Sequence, residues 1–189
     1  MAGARQFDES QVLDAMMRVF WEKGFEATSI DDLVRATGLQ RGSLYNAFGD
    51  KAAMFCRSLR LYQDEVHAAN LHALRGDDPR AALTRLFQLE LKSARNAGQP
   101  RGCLLAEARR VCHRLPAAVA AETRAAAGEL EEALFAMFER ARAAGRLAAT
   151  ADCRALARFY AAVARGVAGT DPEPLEDIAR IGVALLEAA

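Results

Sequence analysis

Ser29-Ile30-Asp31-Asp32-Leu33-Val34-Arg35-Ala36-Thr37-Gly38-Leu39-Gln40-Arg41-Gly42-Ser43-Leu44-Tyr45-Asn46-Ala47-Phe48 is the stretch on which the fold turns. Ser29 is suited to an N-cap, and Asp32 three residues on completes a weaker form of capping box. The helix so opened passes through Leu33 and Val34 to Thr37. Gly38 breaks it, because only glycine takes a positive φ there without strain. A second short helix follows, from Arg41 to about Phe48. Two short helices joined by a glycine-containing turn of about four residues form a helix-turn-helix signature. Leu39, Leu44 and Phe48 anchor the second helix and leave Arg41, Ser43, Tyr45 and Asn46 facing outward. Those side chains have the reach and polarity to touch base edges and phosphates.

Working outward, Val12, Leu13, Met16, Val19 and Phe20 recur at helical steps over about Glu9 to Lys23, and Gly24 is placed to end that helix. Asp50 is suited to cap a long fourth helix from Lys51 to about Ala73. Five more follow: one opened by Pro79, a short one through Cys103, the longest after Pro116, then about Asp152–Ala168 and Glu173–Glu187. Alanine supplies 42 residues, against 18 for valine, isoleucine and threonine together. That balance favours helix over strand. The sequence therefore predicts an all-α chain of about nine helices, divided into a helix-turn-helix domain over residues 1–56 (motif about 29–48) and a larger helical domain over 57–189.

Hydrophobic residues make up 52 % and charged ones 26 %, which excludes a disordered chain. No long uninterrupted apolar run or basic-then-apolar leader is visible, so a cytoplasmic protein without a membrane partner is expected. Lys+Arg and Asp+Glu stand at 25 each, so any nucleic-acid contact must rest on a local surface. Residues 1–51 carry six basic side chains against eight acidic ones, which points to a local basic face of Arg5, Arg35, Arg41 and Lys51. Cys56, Cys103, Cys112 and Cys153 form no CxxC pair, and His67 and His72 lie five apart, off the helical step that two metal ligands need. No metal, no cofactor and no catalytic motif is expected.

The run Phe20-Trp21-Glu22-Lys23-Gly24-Phe25-Glu26-Ala27-Thr28-Ser29-Ile30-Asp31-Asp32-Leu33, continued by Gly38 to Lys51, resembles the N-terminal module of TetR/AcrR-type transcriptional regulators. Gly102-Cys103-Leu104-Leu105 is similar to a phrase in one branch of that family. Two positions depart from its pattern: Gln40 stands where a serine N-cap is usual, and Ala47 where an aromatic or histidine is frequent. The resemblance implies a homodimer that places its third helices in successive major grooves of a palindromic double-stranded operator and releases it on binding a small-molecule effector. By that resemblance Arg41, Ser43 and Asn46 read bases, and Tyr45 and Lys51 hold phosphates. Gly42 permits close approach, while Thr28 and Ser29 bind phosphate at a helix N-terminus or serve as plain caps. The alternative is a helical ligand-binding or scaffolding protein without DNA binding.

Leu59, Tyr62, Phe87, Cys103, Glu107, Phe135 and Phe159 are a mostly apolar set with a few polar groups, suited either to a small-molecule pocket or to plain core. In the eighth helix Leu156, Phe159, Tyr160, Val163 and Val167 share one face, beside a stripe of Ala157, Ala161, Ala164 and Ala168. That stripe, with Ile178, Ile181 and Leu185 of the ninth helix, reads as a dimer seam or as a surface that merely favours helix. Cys103, beside Arg101 at the start of a helix, reads as a reactive thiolate or as a small buried hydrophobe.

Overall fold

The computed structural model describes residues 7–96, 100, 102–167, 172–184 and 186, apart from the side chains of residues 66, 67 and 172. Arg5, Arg101, Ala168, Leu185 and the His67 side chain lie outside what is described. Among the described residues there are nine α-helices, if the helix over 51–73 is taken as one, with a short 3-10 turn over Cys112–Arg114 and no strand. They are α1 Glu9–Ala27, α2 Ile30–Thr37, α3 Arg41–Phe48 and α4 over residues 51–73, then α5 Pro79–Ala94, α6 Leu104–Arg110, α7 Ala117–Ala143, α8 Cys153–Val167 and α9 Pro172–Ala184. None of them is long and apolar enough to cross a membrane.

Local chemistry sets the boundaries. Asp8, Ser29, Asp50 and Asp78 each accept a backbone N–H at the start of α1, α2, α4 and α5. Gly38 closes α2 in the left-handed region at φ 70. Gly24, at φ 75, kinks α1 and lets its last turn continue to Ala27. Gln40 stands at the N-cap of α3 and makes no side-chain cap bond. One feature has no sequence signal: α4 widens into a π-turn over Gln63–His67, directly after Tyr62.

Two apolar clusters hold the helices. The first runs without a break from Met16, Phe20, Leu33, Leu44 and Phe48 through Phe55, Leu59 and Tyr62 to Leu104, Leu105 and Val119. It therefore crosses residue 56, the boundary expected from sequence. The second gathers Leu83, Leu86, Phe87, Leu134, Phe138, Ala157, Tyr160 and Ala161 from α5, α7 and α8. α9 docks through Gly182, where a Cβ would stand 3.3 Å from the Phe87 ring, and whose carbonyl accepts the Tyr160 hydroxyl at 2.7 Å.

The alanine stripe of α8 needs correction as a seam. Ala157, Ala161 and Ala164 are buried inside the protomer, at 0, 0 and 4 % exposure. Small side chains let α7 and α8 approach closely, and this holds within one chain as well as between two. The exposed face of α8 is the one that carries Phe159 (47 %), flanked by partly buried Leu156 and Val163, with Ile181 of α9 at 50 %. Ile178 is partly buried. A shallow depression of about 300 Å³, lined by Ala151, Asp152, Ala155, Leu156 and Phe159, marks one end of that face.

Restoring a side-chain cap tests the reading of α3. Gln40→Ser supplies a hydroxyl for an amide that lacks one, so stability should rise by roughly 0.5–1 kcal/mol, or about 1–4 °C in Tm. Thermal unfolding followed by circular dichroism at 222 nm checks it, and an unchanged Tm counts against the cap argument.

Candidate nucleic-acid interface

Two contacts orient α3. Leu44 and Phe48 are buried at 0 and 2 %, each side chain contributing about 1.5–3 kcal/mol by leaving water. Arg57 of α4 stacks 4.7 Å over the Phe48 ring, donates to the Ala47 carbonyl at 3.2 Å, and pairs with Glu9 of α1. With its inner side so fixed, α3 exposes Arg41, Gly42, Ser43, Tyr45 and Asn46. Those five sequence-expected residues lie together on one helix.

The N-terminus of α2 is a closed capping box. The Ser29 hydroxyl accepts the Asp32 amide at 3.1 Å and donates to its carboxylate at 2.7 Å, while the carboxylate accepts the Ser29 amide at 2.9 Å. Lys23 donates to Asp32 at 2.8 Å, and that bond, followed by those from Ser29, holds the Asp32 carboxyl well below its usual range. Ser29 is exposed. Thr28 is not: it is 1 % exposed, and its hydroxyl donates to the Gly24 carbonyl at 2.7 Å. The kink at Gly24 frees that carbonyl, so Thr28 locks the α1–α2 corner and is withdrawn from the set of phosphate ligands.

The basic side chains are already engaged. Arg41 donates to Asp31 at 2.6 Å, joining α3 to α2, and Arg35 pairs with Asp32. Lys51 is partly buried, its ammonium 4.6 Å from the Phe25 ring centroid and 3.3 Å from the Glu26 carbonyl, and burial pushes its pKa down. Asp31 and Arg57 are contributors that sequence reasoning passed over. Only their spacing to Arg41 and Phe48 in the folded chain reveals them.

Behind this surface, α1 joins α4 and α6. The Trp21 indole N–H donates to the Gly102 carbonyl at 2.9 Å, and its ring meets Tyr62 edge-on at 4.8 Å. Tyr62 and Cys103 belong to the same apolar cluster. Glu26 also reaches Arg114 at 3.1 Å.

Residues 12–57 match the family described as bacterial regulatory proteins, tetR family. A cysteine mutant of the TetR family transcriptional regulator CifR, solved with a 26-base-pair double-strand operator, is 28 % identical over 98 % of both chains, with a TM-score of 0.82. Residues 12–57 are thus a TetR-type N-terminal module, and over its described length the chain shares the fold of TetR family regulators. Among curated relatives, the HTH-type transcriptional repressor ComR of Escherichia coli (strain K12) is 34 % identical over 52 % of this chain and 48 % of its own length. The uncharacterized HTH-type transcriptional regulator YezE of Bacillus subtilis (strain 168) is 29 % identical over 56 % of this chain and 55 % of its own. The chain thus spans about half the length of the curated relatives it matches. A TetR-family regulator from Agrobacterium tumefaciens, 24 % identical over 94 % of this chain and 96 % of its own with a TM-score of 0.82, shows the same fold.

The expected pocket does not assemble as one set. Leu59, Tyr62 and Cys103 meet in the first cluster, whereas Phe87 belongs to the second. Glu107 is exposed and paired with Arg110 at 2.5 Å, Phe135 lies under the Arg154 guanidinium at 3.7 Å, and Phe159 faces outward. Cys103 caps α6, its sulfur accepting the Ala106 amide at 3.4 Å. Of the two readings of Cys103, the buried one is favoured: burial pushes the thiol up, as it does Cys56 and Cys153, and outweighs the hydrogen bond from the Ala106 amide.

Iodoacetamide labelling resolved by residue checks that direction. A raised pKa leaves little thiolate at pH 7, so Cys103 should label no faster than Cys56, and its rate should climb only above the ordinary thiol range. Rapid labelling of Cys103 at pH 7 overturns the assignment.

Proposed function

We propose that this chain is a DNA-binding transcriptional repressor of the cytoplasm, acting as a homodimer on a palindromic operator that a small-molecule effector releases. The observation that carries this reading is α3 itself. Its inner side is anchored by Leu44 and Phe48, and its outer side presents Arg41, Gly42, Ser43, Tyr45 and Asn46 together. Arg41, Ser43 and Asn46 are the base readers. Tyr45, Lys51 and Ser29 hold phosphates, and Gly42 keeps the backbone approach open. An arginine suits guanine and an asparagine suits adenine in the major groove. The division of labour follows the order of the chain, with DNA contacts in residues 1–56 and effector and dimer contacts in 57–189. Curated relatives carry the names of regulators, not of enzymes.

The dimer face is the exposed side of α8 and α9, with Phe159, Leu156, Val163, Ile178 and Ile181. Two copies related by a twofold axis set the α3 helices one helical turn of DNA apart, about 34–36 Å. An effector that favours one arrangement of the body shifts the population of heads at that spacing. Trp21, bonded to the carbonyl just before Cys103, is the route by which movement in α6 reaches α1.

Salt-titrated binding to duplexes selected from a random pool separates the two kinds of contact. Lys51→Ala removes one phosphate contact per protomer, so the slope of log K against log salt should fall by about 0.9 per contact for every sequence. Asn46→Ala should instead relax preference at one base pair per half-site, by roughly 1–3 kcal/mol if bidentate. Unchanged binding by both variants, with intact helicity, sinks the reading.

Assembly is tested on the outer face. Phe159→Glu and Ile181→Glu alter side chains that are half exposed in the protomer, so each should give a folded monomer by light scattering with operator affinity reduced by at least about tenfold. Dimers that survive both changes place the interface elsewhere.

A further inference from the structure

Glu90 is the acid that the DNA-binding reading leaves unused. It follows Leu83, Leu86 and Phe87 on the core-facing stripe of α5, where helical periodicity calls for another apolar residue. Asn70 of α4 donates to its Oε1 at 2.8 Å. Among the described residues its other oxygen has no hydrogen bond, and no lysine or arginine pairs with it. Burial pushes the carboxyl above its usual range, and the Asn70 bond offsets only part of that cost. A desolvated carboxylate without a counter-charge is expensive unless something supplies one.

The neighbours share its character. Tyr62 of α4 and Cys103 at the start of α6 both feel the Glu90 charge, and both are pushed up, chiefly by burial. Among the described side chains, the titratable groups that act on one another here are Glu90, Tyr62 and Cys103, all acids; the His67 side chain lies outside what is described. Tyr62 and Cys103 belong with the first apolar cluster, while the α5 residues beside Glu90 belong to the second. Glu90, Asn70 and Cys103 each keep some accessible surface at that seam. The arrangement is an acidic, hydrogen-bond-accepting point set between two apolar bodies.

We propose that Glu90, with Asn70, Tyr62 and Cys103, forms the polar end of an effector site for a protonated organic amine carrying an apolar group. An ammonium N–H of the effector pairs with the open Glu90 oxygen, and the Tyr62 ring and the flanking apolar clusters receive the rest. Asn70 holds the carboxylate in place from the opposite side. The site lies beside the Trp21–Gly102 bond, so filling it bears on α1 directly. This rests on reading the body as the effector-receiving part of a DNA-binding regulator.

The test compares phenethylammonium with the neutral 2-phenylethanol, each titrated calorimetrically into the full chain at pH 7, as wild type and as Glu90→Gln. The wild type should bind the ammonium at least about tenfold more tightly than the alcohol, as a charge-assisted hydrogen bond gives. Glu90→Gln, which keeps the shape of the neutral acid, should lose that preference while its thermal unfolding stays cooperative. Equal binding of the two probes by the wild type overturns the proposal, as does binding of neither or a preference that survives Glu90→Gln. The wild-type comparison stands even where the variant misfolds. Duplex binding is measured in parallel with and without phenethylammonium. A wild type that binds DNA unaffected by the bound amine overturns the effector role and leaves the regulator reading intact. A wild type that binds no duplex removes the regulator reading, and the probe preference still decides whether Glu90 takes a cation.

Discussion

Helices of eight residues do not persist alone in water, and α2 and α3 are both that short. Their persistence depends on three side chains, Leu33, Leu44 and Phe48, buried against α1 and α4. The capping box at Ser29 and the left-handed Gly38 fix where the chain turns, but caps are worth about 1 kcal/mol each and cannot replace burial. The same apolar cluster continues into α6 and α7. The exposed face of α3 is thus one side of a core whose other side is the body.

Electrostatics explains how a head with a slight acidic excess can still meet a polyanion. Its acids are largely spent on its own structure: Asp8, Asp32 and Asp50 accept backbone amides at helix starts, and Asp31 holds Arg41. The Asp31–Arg41 pair is exposed on both sides, at 65 and 58 %, and such pairs are worth about 0–1 kcal/mol. On the proposed reading a phosphate or base edge would displace Asp31 at little cost, and until then the pair keeps Arg41 over α2.

Much of the fold was legible because helix boundaries are written in local chemistry. Pro79, Asp50, Gly38 and Gly24 act on their own neighbours, and the structure puts breaks where they stand. What failed to read depends on what packs from elsewhere. Ala157, Ala161 and Ala164 fit a close helix crossing equally well within a chain or between two, and in the fold they meet α7. Phe159 has the character of a core residue and points outward. Thr28 has the chemistry of a surface cap, and only the opened Gly24 carbonyl draws it inside. Glu90 looks like one more charge on a solvated face until Asn70 of α4 closes on it. The π-turn after Tyr62 leaves no mark that a sequence reading could use, since such turns are rare single-turn bulges within α-helices.

Trp21 is the one tryptophan in the chain, and it stands at the joint between α1 and α6 with its ring against Tyr62 and its N–H on the Gly102 carbonyl. All indole emission from this protein therefore originates at the place where the body meets the head. A buried indole that loses its hydrogen bond or gains water changes colour, so the joint reports on itself without any attached dye. The rise time of that spectral change, followed after rapid mixing, is a clock for the mechanical step between the two ends of the molecule.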